Sequence, residues 1–139
     1  MAMTNNMKNN VLNNLFRNKT YAVPSVLYIA LSKTAPTESG GNCTEPTSAS
    51  YKRLAVSSNE INWNESVGGT ISNSVALRFD EAGESWTTAA APITHWAIFD
   101  SQADGNMLFY GALARAQEIP TGSILEIPEN GLVTTILNS

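Results

Sequence analysis

The chain has 139 residues, a net charge of −4 and a charged fraction of 14%, well under the roughly 25% of an ordinary globular domain. Asn, Ser and Thr number 15, 14 and 13 and fill the difference, which suits turn-rich β-structure because these side chains bond to nearby turn backbone. This composition argues against a charged helical rod, a coiled coil and a basic nucleic-acid binder.

The length suits a single domain over residues 1–139. Cys43 is the only cysteine, so no internal disulfide can form and the core alone must hold the fold. That fits production in a reducing cytoplasm. The opening Met-Ala-Met-Thr-Asn-Asn lacks the apolar stretch of a signal peptide. No apolar run approaches the ~18 residues that span a bilayer. Residues 1–58 carry six basic and two acidic groups, whereas residues 59–139 carry two basic and ten acidic. Two solvated faces account for this asymmetry, and contact between copies by opposite ends is the other reading.

In chain order, residues 4–18 predict a helix. Met7, Val11, Leu12, Leu15 and Phe16 form an apolar stripe, and Thr4 is the candidate N-cap. The six Asn residues on its other face are mediocre helix formers, so the helix is expected to depend on docking its stripe. Pro24 opens the next element, an apolar strand over Val26–Ser32. Residues 33–50 predict a long loop, of a kind that often carries contacts. A strand near Tyr51–Val56 follows, then a polar stretch ending at Gly68-Gly69. Over residues 70–79, Ile71, Asn73, Val75, Leu77 and Phe79 alternate as one strand face would. Ile93–Asp100 and Met107–Leu113 flank a loop ending Asp104-Gly105-Asn106 and predict a hairpin. Short strands are expected at Ile124–Ile127 and Leu132–Leu137, separated by a turn at Pro128-Glu129-Asn130-Gly131. Together these elements predict a mainly β fold, a two-sheet antiparallel β-sandwich over about 21–139 with a short N-terminal α-helix. A closed barrel is the alternative.

Residue types that carry chemistry are scarce. His95 is the only histidine, set in an apolar strand, where a hydrogen-bonded structural role outweighs that of a general base. One histidine and one cysteine cannot make a His/Cys metal cluster. A Cys43–His95 dyad has no supporting motif, and no nucleophile elbow is present. Asp80, Glu81 and Glu84 cluster in one loop without the spacing of a calcium loop. Asp80, Asp100 and Asp104 lie near strand ends, with no pair held at the separation that glycoside hydrolysis needs. No catalytic, metal or cofactor residue is therefore assigned. Trp96 reads as core. Trp63 and Trp86, in loops, are the better candidates for surface contact or sugar stacking.

The ordered set Leu27-Tyr28-Ile29-Ala30-Leu31, Pro36-Thr37-Glu38-Ser39-Gly40-Gly41, Tyr51-Lys52-Arg53, Ser72-Asn73-Ser74, Thr94–Asp100 and Gly105–Leu113 resembles a family of small tailed-bacteriophage virion proteins, commonly labelled tail fibre protein. The Ile-Pro-x-Gly-x-Leu pattern near the C-terminus also corresponds, with Thr121 intervening before Gly122. The resemblance implies a virion component without catalytic residues or cofactor. Residues 1–139 contain no heptad array or collagen-like run and build a knob rather than a long fibre. The leading expectation is a non-enzymatic capsid decoration or accessory protein, present in many copies. The alternative is a tail-fibre, tail-tip or baseplate module that binds a host receptor or surface glycan. The expected partners are other virion proteins, further copies of the chain and host glycan, with no role for nucleic acid or membrane. Met7, Val11, Leu15, Trp63 and Trp86 are the candidate contact residues, together with the 33–50 loop.

Overall fold

The computed structural model describes residues 2–136. The elements in chain order are β1 (Ala2–Met3), α1 (Asn5–Arg17), β2 (Val26–Ser32), β3 (Leu54–Ser57), β4 (Thr70–Ser72), β5 (Leu77–Arg78), β6 (Ile93–Phe99), β7 (Met107–Gln117), β8 (Glu126–Ile127) and β9 (Val133–Thr135). The fold is mainly β, with an antiparallel five-stranded sheet in the order β1-β7-β6-β2-β3. Two small ribbons, β4-β9 and β5-β8, complete it.

The sheet has two unlike faces because side chains alternate along each strand. Ile29 and Leu31 of β2, Val56 of β3, and Trp96 and Ile98 of β6 point to one face. There they meet Leu77, Phe79, Trp86, Ile119, Leu125, Ile127 and Leu132 from the ribbons and long connections. This is the main core, and each well-buried Leu, Ile or Phe in it contributes about 1.5–3 kcal/mol. The opposite face carries a smaller cluster of Ala30, Ala97, Phe99 and Met107, flanked by Tyr28, Cys43 and Tyr110.

Local chemistry explains the element ends. Thr4 caps α1, its side chain accepting from Met7 N, and Asn18 closes the helix in the left-handed conformation at φ 51°. The hairpin loop between β6 and β7 turns at Gly105, φ 73°, where an added Cβ would lie 2.5 Å from an Asp100 carboxylate oxygen. Asp100 accepts from Asn106 N at 2.8 Å and from its side-chain amide at 3.1 Å, which fixes the loop.

Two expectations are corrected. The 70–79 alternation does not make one strand, since β4 and β5 belong to different ribbons. Asn73 is fully buried and Val75 about one-third exposed, because the Asn73 amide donates to Val75 O at 2.8 Å and turns the chain between the ribbons. The expected turn at 128–131 does form, with Gly131 N donating to Pro128 O at 2.8 Å. The segments on either side of it do not pair with each other. β8 pairs with β5, and β9 with β4. The far end of the expected strand, Leu137, lies outside the described residues.

Candidate functional site

The start of α1 is anchored firmly. Thr4 is fully buried, and its hydroxyl donates to Met107 O at 2.6 Å while its amide donates to Leu108 O at 3.0 Å. Asn5 N donates to Glu38 O at 2.8 Å, and Lys8 pairs with Glu38 at 3.3 Å. These bonds hold the first turn against β7 and the 33–50 loop.

Beyond that turn the helix is hardly covered. None of its residues is buried. Val11 is 38% exposed and Leu15 72%, while Leu12 and Phe16 also face solvent. The expected docking of the stripe is thus incomplete. Met7, Val11 and Leu15 form one wall of an open groove, whose other wall and floor include Val23, Leu27 and Phe109. The groove holds about 530 Å³. Tyr21 lines it and donates its hydroxyl to the Met7 sulfur at 3.7 Å.

A second hollow of about 380 Å³ continues from this groove, sharing Leu27, Ser58 and Phe109 with it. Trp63, Ile71, Ile98 and Thr134 also line it, and Asn59, Glu60 and Asn64 stand around it. Two buried polar atoms here, Trp63 Nε1 and Thr134 Oγ1, have no hydrogen-bond partner among the described residues. A buried donor left unpaired costs about 1–3 kcal/mol, so the hollow favours an occupant with a polar group. The two hollows exist because the ribbons cover the sheet's core face over only part of its length and leave Leu27 and Phe109 half-buried.

The structure therefore brings Met7, Val11, Leu15 and Trp63 onto one apolar surface. Trp86 is placed elsewhere and is corrected as a contact candidate. It is 2% exposed, donates its indole N–H to Ser50 Oγ at 2.9 Å and meets the Tyr51 ring edge-on at 5.3 Å. Alternating loop polarity conceals this, because its partners lie far along the chain. Leu27, Phe109 and Thr134 were not singled out from sequence. The first two read as ordinary strand residues, and no local signal marks the third.

The remaining reactive groups lie outside the two hollows. His95 Nδ1 shares a hydrogen bond with Thr94 Oγ1 at 2.8 Å, and burial lowers its pKa. Burial pushes the Cys43 thiol up, away from the reactive thiolate. Asp80 pairs with Lys52 at 3.4 Å, and Glu84 accepts from Ser50 N at 3.0 Å. The lining of both hollows is made of apolar, amide and hydroxyl groups, with Tyr21 and Glu60 as its titratable members. Such a surface is suited to adhesion, through apolar burial and a few directed hydrogen bonds.

No helix among the described residues is long and apolar enough to cross a membrane. Comparison with curated proteins finds none that matches the chain. Residues 2–135 match the family described as Podophage GP4 fiber I protein gp80, in keeping with the ordered strand and loop motifs, and the chain belongs to that phage fibre family.

Proposed function

We propose that the chain is a non-enzymatic structural component of a phage tail fibre, built into the virion through the apolar surface formed by α1, Leu27, Phe109 and the Trp63 loop. The fibre family favours the tail over the capsid-decoration reading. The observation that carries the docking role is α1 itself, a 13-residue helix with no buried residue. Helices of that length are marginal in water and draw their stability from packing. Cryo-electron microscopy of virions tests the reading. Density for the fold on the tail, with α1 covered, is the expected result, and density on the capsid shell overturns it. In parallel, Leu15→Asp is expected to fold normally yet fail to enter particles.

A second reading assigns the Trp63 hollow to a host surface glycan. It is favoured by the unpaired Trp63 Nε1 and Thr134 Oγ1 beside an aromatic ring, since sugars present hydroxyls next to apolar C–H faces. Glycan-array binding that disappears on Trp63→Ala and persists on Leu15→Asp supports this reading. An array without signal overturns it.

A further inference from the structure

We infer that the Trp63 hollow takes an N-acetylated sugar, its acetamido group set between Trp63 Nε1 and Thr134 Oγ1. This rests on the glycan reading of that hollow and names the class of sugar. The two unpaired polar atoms carry it. Both are shielded from water and have no hydrogen-bond partner among the described residues, and both side chains line the hollow. An indole N–H can only donate, whereas a threonine hydroxyl can also accept. An acetamido group offers the matching pair, a carbonyl for the indole and an N–H for the hydroxyl. Its methyl needs an apolar seat, and Leu27, Ile71, Ile98 and Phe109 supply one. A bare sugar hydroxyl could meet the polar atoms but would leave that apolar seat unfilled.

Charge and rigidity narrow the choice further. Glu60 stands at the hollow, Glu65 follows Trp63 closely in sequence, and residues 54–77 hold no basic group. Among the described residues, no lysine or arginine lines either hollow. A uronic or sialic acid would meet like charge there with no counter-charge. A free amino sugar would press an ammonium against the apolar lining. The neutral acetamido group avoids both penalties. The loop that carries Trp63 is already fixed, which limits the freedom lost on binding. Trp63 N donates to Asn59 O at 3.2 Å, and Asn59 Oδ1 accepts from Ile61 N at 3.1 Å and Asn62 N at 2.9 Å. The Asn64 amide donates to Ser72 Oγ at 2.9 Å and Asn130 Oδ1 at 2.8 Å. The volume of about 380 Å³ lies at the lower end of the range for small-molecule sites, which suits one sugar residue rather than a long chain.

The test follows the indole N–H signals of the full, nitrogen-15-labelled chain by NMR. The methyl glycosides of N-acetylglucosamine, N-acetylgalactosamine, glucose, glucosamine and glucuronic acid are titrated in turn. At least one N-acetylated sugar is expected to move the Trp63 signal and to bind about tenfold more tightly than each of the other three, or more tightly still. Thr134→Val keeps the side-chain shape without the hydroxyl, and Trp63→Phe keeps an aromatic ring without the N–H. Each is expected to weaken that sugar about tenfold, Trp63→Phe being followed at the sugar's own methyl signal. Unmoved Trp86 and Trp96 indole signals show that both variants fold. Glucose, glucosamine or glucuronic acid binding as tightly as the N-acetylated sugars overturns the acetamido inference and leaves the glycan reading standing. Unchanged affinity in both variants does the same. If none of the five sugars binds, the acetamido inference is overturned, and the glycan array decides the broader reading separately.

Discussion

Arg53 grips Glu45 with two prongs, Nε to Oε1 at 3.1 Å and Nη2 to Oε2 at 2.9 Å. Arg53 is 7% exposed, and its Nη1 donates to Ser101 O at 2.9 Å and Asp104 O at 2.8 Å. Its guanidinium carbon also lies 3.7 Å from the centre of the Phe99 ring. One side chain therefore ties the 33–50 loop, the approach to β3 and the β6–β7 loop together. Tyr51 joins the group, its hydroxyl donating to Glu45 at 2.6 Å and accepting from Leu31 N at 3.1 Å. Burial and the Glu45 carboxylate push that phenol's pKa far above the ordinary range.

Arg53→Ala should therefore destabilise the protein by about 2–4 kcal/mol. This is somewhat less than a fully buried pair, because Glu45 keeps partial contact with water. Arg53→Lys should recover little, since an ammonium cannot reproduce the planar fork. Urea denaturation reads both effects as shifts in midpoint.

Trp86 and Trp63 should separate cleanly. Trp86→Ala removes a buried ring together with its hydrogen bond to Ser50 Oγ, at a cost of about 3–5 kcal/mol. Thermal unfolding should record that loss. Trp63 stands at the half-open hollow, so Trp63→Ala should act chiefly on binding or particle assembly.

Asn73 is the polar centre of the ribbon region. Its amide donates to Val75 O at 2.8 Å and Pro128 O at 2.9 Å, and its oxygen accepts from Leu132 N at 2.8 Å. Asn73→Ala removes all three bonds and leaves the amide of fully buried Leu132 without this partner, at a cost of about 1–3 kcal/mol. Amide exchange should accelerate first at Leu132 and through β4 and β9.

His95 gives stability a pH dependence of defined sign. Its folded pKa lies below the ordinary 6.5 because burial opposes the charged ring. The unfolded chain thus binds the proton more readily. The contribution of His95 is complete above about pH 6.5 and is lost as pH falls towards and through the lower folded value. Denaturation midpoints compared at pH 7.5 and 5.5 should fall, and His95→Gln should flatten that part of the slope.

Much of the framework is local chemistry and was legible in the chain. Thr4 and Asn18 bound the helix because a hydroxyl satisfies a free helix amide and Asn tolerates the left-handed conformation. The β6–β7 hairpin follows from two apolar runs around Asp104-Gly105-Asn106, and Val26–Ser32 from an uninterrupted apolar run. The ordered motifs also identified the phage fibre family, which residues 2–135 bear out.

Other features depend on groups distant in sequence. The turn at 128–131 is local, but the partners of β8 and β9 are strands some 50 to 65 positions earlier, and no local pattern encodes that pairing. Trp86 has the sequence setting of a loop contact, yet Ser50 and Tyr51 draw it into the core. For α1 the pattern correctly indicated an apolar stripe, and only the fold showed that the sheet leaves it uncovered. Periodicity is set by backbone geometry within a few residues, whereas burial depends on which distant surfaces meet.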